Sequence, residues 1–215
     1  MNTTWKELQE TCLRKIFSLD NVNIVRDSTT NPYIYGMPAA ANEALMLLAT
    51  TGRYWKKCLT IEQGGEAAAE PDMVLGGMNC YDLRKTAGDF YCIDSMKLAA
   101  GDGYGVYDGY EMEGEHLLLL PADQEGVFRV WYNAYPEKIT NSTADDYIIQ
   151  MHPEAVALVA TYMAGQLYKD DDISIAQIWM NEFLTWLEEL KATAKKAAGR
   201  NANSGGGWKS SKGWY

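Results

Sequence analysis

Apolar residues recur at helical spacing over two stretches near the start of the chain. The pattern predicts a first helix over residues 5–18, and Thr4 and Glu7 stand before it at the spacing of a capping box. A second helix is predicted over residues 38–51, because this stretch is rich in alanine and leucine and Pro38 suits a first helical position.

Two further helices are predicted near the end of the chain. One begins at Pro153, and the other covers residues 173–198 behind the capping carboxylates of residues 170–172. Gly199, which follows two lysines, favours the end of the last helix. We expect the helices to pack together and to bury six residues against one another: Leu45, Leu48, Leu158, Tyr162, Phe183 and Leu187.

Between the helical stretches the apolar period changes to two, which is the spacing of β-strands. Six strands are predicted: Cys58–Ile61, Met78–Arg84, Phe90–Asp94, Gly105–Met112, His116–Leu120 and Gly126–Tyr135. Short turns of glycine and aspartate between them indicate antiparallel pairing. The interior of the sheet is expected to be aromatic and to contain Tyr81, Phe90, Tyr107, Phe128 and Trp131.

Together these elements predict an α+β protein. About four N- and C-terminal helices would form a bundle, with an antiparallel β-sandwich or flattened barrel inserted between them. The predicted units are N-terminal helices over residues 1–56, a β domain over 57–151, C-terminal helices over 152–198, and a flexible docking tail over 199–215.

One segment of the predicted β domain is too long for a tight turn. It covers residues 62–77 and contains Met73, Val74 and Leu75 beside glycines. These three residues are interpreted as an apolar loop tip that contacts another subunit.

The tail combines a Gly/Ser-rich composition with large aromatic side chains. Trp208, Trp214 and Tyr215 are anchor types, and Lys209 and Lys212 would steer them to an acidic partner. We therefore expect the tail to bind a partner. The alternative is a solvated terminus without one.

Charge and hydropathy restrict the class of protein. The chain has 29 acidic and 19 basic residues and a net charge of −10, which disfavours wrapping nucleic acid. No apolar run approaches the ~18 residues of a membrane span, and the first residues lack the pattern of a secretion signal. The expectation is a soluble protein of the cytoplasm, with no membrane partner.

No pattern predicts a catalytic residue, a cofactor or a metal. Residues 101–105 are glycine-rich, but no Lys-Ser/Thr follows, so a hairpin turn is favoured over a phosphate loop. The nearby acidic residues lack the spacing of a calcium loop, and the two histidines have no nucleophile pattern. The four cysteines are interpreted as free, mostly buried thiols, with disulfides as the alternative.

Two stretches resemble the head–tail connector (adaptor) proteins of tailed bacteriophages. The first is Asn31-Pro32-Tyr33 followed by residues 37–45, Met-Pro-Ala-Ala-Ala-Asn-Glu-Ala-Leu. The second covers residues 152–155, 166–172 and 181–183, where a helix ends in a tyrosine and an acidic run and the next helix carries Asn-Glu-Phe. Tyr135-Pro136 and Asp146-Tyr147-Ile148 also stand where that family has the end of its sheet. The resemblance covers residues 1 to about 192.

The resemblance implies a structural virion protein without an active site. Such adaptors form a ring, expected to be a dodecamer, beneath the portal and seat the tail or further neck proteins. The implied location is the neck of the virion, with the host cytoplasm before assembly. DNA would be only passing cargo, and a lumen lined by acidic subunits would repel it and let it slide.

Two other classes stay open as alternatives. A carbohydrate- or receptor-binding module would expose aromatic residues on one sheet face, and six are candidates: Tyr104, Tyr107, Tyr110, Trp131, Tyr132 and Tyr135. A hydrolase would bring two carboxylates together in a cleft.

Overall fold

The computed structural model describes residues 3–17, 26–50, 55–65, 68–149 and 153–203, with the side chains of 153–154 and 193–203 left out. These residues form an α+β fold. Its helices are α1 (Trp5–Phe17), α2 (Asn31–Ala49), α3 (Leu83–Thr86), α4 (Pro153–Leu167) and α5 (Ile173–Asn203).

The strands of the described ranges pair only antiparallel. They are β1 (Thr3–Thr4), β2 (Lys56–Gln63), β3 (Met73–Leu75), β4 (Met78–Asp82), β5 (Phe90–Ala100), β6 (Gly103–Val106), β7 (Glu111–Glu113), β8 (Leu117–Pro121), β9 (Gly126–Ala134) and β10 (Ile148–Ile149). They form two four-stranded sheets, one ordered β2-β9-β5-β6 and the other β3-β4-β8-β7, plus the pair β1-β10. Below, these are the β2 sheet and the β3 sheet. Neither closes into a barrel.

Local signals of the sequence determine two helix starts. At α1 the Thr4 N–H donates to the Glu7 carboxylate (2.8 Å) and the Glu7 N–H donates to the Thr4 hydroxyl (3.2 Å), which completes the predicted capping box. At α5 the Asp172 carboxylate accepts from the N–H groups of Ser174 and Ile175. Both caps are therefore confirmed.

The predicted start of α2 is wrong. The helix begins at Asn31, so Pro32 occupies its first turn and Pro38 lies inside it. A proline inside a helix removes one hydrogen bond. Pro38 is itself buried, so packing offsets that loss and the helix continues through it.

The end of α5 also differs from the prediction. The helix passes Gly199 and runs to Asn203. One glycine costs only about 1 kcal/mol relative to alanine, which is too little to stop a helix flanked by lysine, alanine and arginine. The predicted tail therefore starts as helix, and residues 204–215 lie outside the described residues.

The helices pack through α4, which contacts α1, α2 and α5. All six residues predicted to be buried on the helices are buried, including Leu48 at 0% and Leu187 at 5% exposure. The same core contains Tyr81, Leu118 and Leu120 of the β3 sheet and Phe128 and Val130 of the β2 sheet.

Several strand predictions need correction. The predicted strand Gly105–Met112 is two strands, β6 and β7, that belong to different sheets. The predicted strand Met78–Arg84 ends at Asp82, because the Asp82 carboxylate caps α3. Trp131 is only half-buried and shares a face with exposed Arg129, opposite buried Phe128, so the prediction that it lies inside is wrong.

Candidate assembly surface

Met73, Val74 and Leu75 form an edge strand rather than the predicted loop tip. They are strand β3, which pairs with β4 across the two-residue turn Gly76-Gly77. Both glycines have positive φ, 56° and 84°, as the favoured hairpin turns require. The exposed fractions of the three side chains are 45%, 61% and 41%. An apolar edge strand with this exposure is a template for another chain.

The centre of the β3 sheet is apolar on both faces, while Asp82 of β4 and Glu111 and Glu113 of β7 lie at the margin of the outer face. Tyr81 and Leu118 are opposite one another on the inner face, and both belong to the core. Cys80 and Leu119 are opposite one another on the outer face, and they are buried at 0% and 8% exposure. The centre of the outer face is therefore shielded from solvent within one copy, and the exposed apolar residues of this sheet are those of its edge strand β3.

The outer face of the β2 sheet provides an internal comparison. It presents exposed Lys56, Thr60 and Arg129 and half-buried Ser95 and Lys97. This polar composition is the one expected for a solvated face. The two sheets differ at the centre of the outer face, where the β3 sheet has the buried pair Cys80 and Leu119 and the β2 sheet has half-buried Trp131 among polar residues.

A second exposed apolar surface lies along α5. Ile175, Ile178 and Trp186 are exposed by 38%, 63% and 43%, while Phe183 and Leu187 on the other side of the helix are buried. Glu182 lies in the same row as the exposed residues, and its carboxylate is 3.7 Å from the Lys15 ammonium of α1. We call the three exposed residues the α5 stripe.

An open groove of about 460 Å³ lies beside β7. Its lining includes Tyr91, Tyr135, Tyr110 and Met112, and the first two rings are 5.1 Å apart. Arg84, also in the lining, pairs with Glu115 at 2.8 Å.

The six aromatic residues of the binding-module alternative do not share one surface. Tyr104 and Trp131 lie on the outer face of the β2 sheet, where the Arg129 guanidinium stacks over the Tyr104 ring at 4.0 Å. Tyr132 is buried, and Tyr107 packs against Phe128. Tyr110 and Tyr135 line the groove beside β7.

Several residues of the stretches that resemble the connector family form hydrogen bonds between different elements of the fold. The Asn42 amide makes two hydrogen bonds with the backbone of Ile139, at 2.8 and 2.9 Å, and so ties α2 to the segment after β9. Tyr33 donates to Asp171 at 2.7 Å, and Tyr162 donates to Glu43 at 3.0 Å. These contacts join α2 to the residues around α4, so they position the helices.

Tyrosines bonded to carboxylates make the protein sensitive to alkali. Burial and the hydrogen bond to Asp89 raise the pKa of Tyr132 from 10.0 to about 12. Burial and a carboxylate partner likewise raise the pKa of Tyr33 and the pKa of Tyr147 to about 12. A folded-state pKa above the unfolded one gives stability that is complete below pH 10 and lost as the pH rises towards 12.

We therefore expect progressive loss of stability between pH 10 and pH 12. Tyrosinate absorbance and circular dichroism recorded together should show the last tyrosines ionising as the protein unfolds. Ionisation of all 14 tyrosines near pH 10 in a folded protein would contradict this expectation.

The glycine-rich stretch and the cysteines were considered for chemistry, and the structure shows a turn in the first and free thiols in the second. Gly101 and Asp102 form the two-residue turn between β5 and β6, as predicted. The four cysteines are free thiols, of which Cys12 and Cys80 are buried and Cys58 is exposed. Burial raises the pKa of the Cys80 thiol.

The described residues contain neither a metal-binding cluster nor a membrane-spanning helix. No group of three or more His, Cys, Asp and Glu side chains in that part of the chain is placed to hold a metal ion. None of its helices has both the length and the hydrophobicity needed to cross a bilayer. The tail residues predicted to bind a partner, Trp208, Lys209, Lys212, Trp214 and Tyr215, lie outside the described residues.

The apolar composition of Met73, Val74 and Leu75 marked them as a contact element, but the sequence predicted a loop tip there and missed the neighbouring edge strand β7. The edge strand β7 was hidden inside a longer predicted strand. The buried amide of Gln63, which links the two sheets, has no local signal because its partners are 58 and 61 residues away in sequence.

In comparisons with known proteins, no protein-family model and no curated protein matches this chain.

Proposed function

We propose that this protein is a head–tail connector of a tailed bacteriophage, a structural subunit that forms a ring beneath the portal. The observation that carries the proposal is the apolar edge of the β3 sheet, where Met73, Val74 and Leu75 are exposed. No other described strand of the copy pairs with this edge, whereas assembly of several copies would bury it.

The architecture supports the same reading. We interpret α1, α2, α4 and α5 as the helical bundle of the connector and the two four-stranded sheets as its inserted β-sandwich. Three contacts support the sandwich, because Gln63 of β2 bonds Pro121 and Gln124 and accepts from Tyr81 of β4. Thus β2 of one sheet is tied directly to the other.

The charge suits a channel through which DNA moves. A net charge of −10 per copy would give the inner wall of a ring a strong negative potential. Such a wall repels phosphates and lets DNA slide during ejection. In this proposal the protein carries out no catalytic step, and its location is the virion neck between the portal and the tail or other neck proteins.

Mixing the purified full-length protein with a portal protein tests the proposal. Native mass spectrometry and electron microscopy should show a ring of copies, with twelve expected, bound to one end of the portal. A protein that stays monomeric and does not bind the portal at any concentration would overturn the proposal. Specific binding in a glycan-array screen would favour the alternative of a carbohydrate-binding module.

We further propose that the tail docks on the portal through Trp208, Trp214 and Tyr215. Deleting residues 204–215 leaves α5 whole and should weaken portal binding at low salt by about tenfold or more, since buried Trp and Tyr anchors each contribute about 2 kcal/mol. Binding assays at two salt concentrations measure this effect.

The matched variant Lys209→Ser/Lys212→Ser keeps the rings and removes two charges. It should reduce the salt dependence of binding more than the affinity at high salt. Equal affinities of the full-length and truncated proteins at low salt would leave the tail without a docking role.

A further inference from the structure

Among the described residues, the two edge strands of the β3 sheet have no further strand beside them, and these two edges run in opposite directions. Its order is β3-β4-β8-β7, and each neighbouring pair is antiparallel. With four strands in alternation, β3 and β7 at the two ends are antiparallel to each other. A second copy in a similar orientation can therefore place its β3 beside β7 of the first in the antiparallel direction.

The backbone of β3 is arranged for such an addition. Leu75 and Met78 flank the two-residue turn and so form a hydrogen-bonded pair, which makes the next pair, Val74 and Asn79, a non-hydrogen-bonded one. The N–H and C=O of Val74 consequently point to the open edge. Proteins usually protect such an edge with lysine, proline or a bulge, and the three residues of β3 contain none of these.

We propose that β3 of one copy pairs with β7 of the next and joins the β3 sheets of neighbouring subunits into a continuous ladder. This inference rests on the ring of the proposed function and names the contact that builds it. The interface is heterologous, since two different edges meet, and a heterologous interface generates a ring when its rotation closes.

The central side chains of the two strands match in position and chemistry, whereas the flanking positions bring acidic and apolar side chains together. Val74 and Met112 occupy the middle of their strands on the inner face, so an apolar contact forms there. On the outer face Glu111 and Glu113 of β7 would come beside Met73 and Leu75. A cation is available at that point, because the Lys85 ammonium is held next to the start of β3 by Asp72.

Cysteine cross-linking tests the pairing directly. Val74→Cys and Met112→Cys are introduced separately into a Cys58→Ser/Cys92→Ser background, which removes the exposed and half-buried native thiols. Mild oxidation of the mixture should give disulfide-linked heterodimers, and the double variant should give a ladder of higher species. The matched control pairs Val106→Cys with Met112→Cys, because Val106 is an exposed edge valine of the other sheet at 76% exposure. It should give no ladder.

A second measurement uses proline to block the edge without a thiol. Val74→Pro removes the outward N–H from β3, and an edge position tolerates proline. Val106→Pro is the matched control, since its N–H also faces the open edge of β6 by the same pairing rule. Sedimentation should show that Val74→Pro raises the dissociation constant of assembly by about tenfold or more, whereas Val106→Pro leaves it unchanged and both keep the wild-type circular dichroism.

The possible results of these experiments distinguish a failure of the proposed interface from a failure of the proposed connector function. Rings that form normally without the Val74–Met112 cross-link, and that Val74→Pro does not weaken, would overturn the pairing and leave the connector proposal standing. Dimers linked only from Val74→Cys to Val74→Cys would overturn it in favour of a two-fold contact. A protein that neither cross-links nor assembles overturns the pairing too, and the portal-binding experiment then decides the function.

Discussion

Replacing Gln63 by leucine is expected to destabilise the protein by about 3–5 kcal/mol, because three hydrogen bonds are lost in a buried place. The Gln63 amide donates to the carbonyls of Pro121 (2.6 Å) and Gln124 (2.8 Å) and accepts from the Tyr81 hydroxyl (3.1 Å). Gln63 and Tyr81 are 3% and 4% exposed, so water does not replace the lost partner. Leucine fills a similar volume, which confines the effect to the hydrogen bonds.

Denaturant unfolding measures the effect, and Tyr81→Phe provides the control. That change removes only one of the three bonds and should cost about 1–2 kcal/mol. In the double variant the Tyr81 hydroxyl is no longer left unpaired, so the two changes should cost less together than the sum of the single effects. Additive costs would mean that the two side chains do not interact.

Alanine at Leu48 or Leu187 is expected to destabilise the protein by about 2–5 kcal/mol each. Both side chains lie in the shared core, one on α2 and one on α5, and each truncation leaves a cavity that the neighbouring helices fill only in part. Thermal or denaturant unfolding gives the free energies.

Two exposed leucines on the same helices serve as matched controls. Leu47 on α2 and Leu184 on α5 are 41% and 53% exposed. Their replacement by alanine should change the free energy of unfolding by roughly 0.5 kcal/mol or less. Equal tolerance at the buried and exposed positions would contradict the packing of these helices on a common core.

Local signals in the sequence predicted the elements that local chemistry determines. The capping box of Thr4 and Glu7 and the cap at Asp172 located two helix starts to within a residue. The aromatic pattern of the strands identified Phe128 of β9 as a core residue. In each case the partners are close in sequence or the pattern repeats within one element.

The errors occurred where distant residues decide the outcome. The start of α2 was misplaced because Pro38 suits either a helix start or a buried interior position, and only its surroundings distinguish them. The stretch Gly105–Met112 alternates like one strand, yet its two ends pair with different partners, Lys97 at Val106 and Leu118 at Met112. Register cannot be read from one strand alone.

The sequence predicted that the candidate surface is apolar and exposed, but it did not predict that the surface is an edge strand. Met73, Val74 and Leu75 stood out as apolar residues in a polar segment, and the structure agrees that they are exposed. Their pairing with β4, and hence their role as an edge, depended on the turn at Gly76-Gly77 and on the run of four leucines in β8. Apolar residues on both sides of β8 indicate a sheet that is covered on both faces.

The central position of α4 has a consequence for synthesis on the ribosome. Both α1 and α2 bury their apolar faces against α4, and β1 pairs with β10 just before it. The whole β block is translated between Ala49 and Pro153, which takes several seconds at about 5–20 residues per second. During that interval the first two helices lack their packing partner, so the nascent chain is a candidate for chaperone binding. High contact order of this kind also slows refolding of the finished chain.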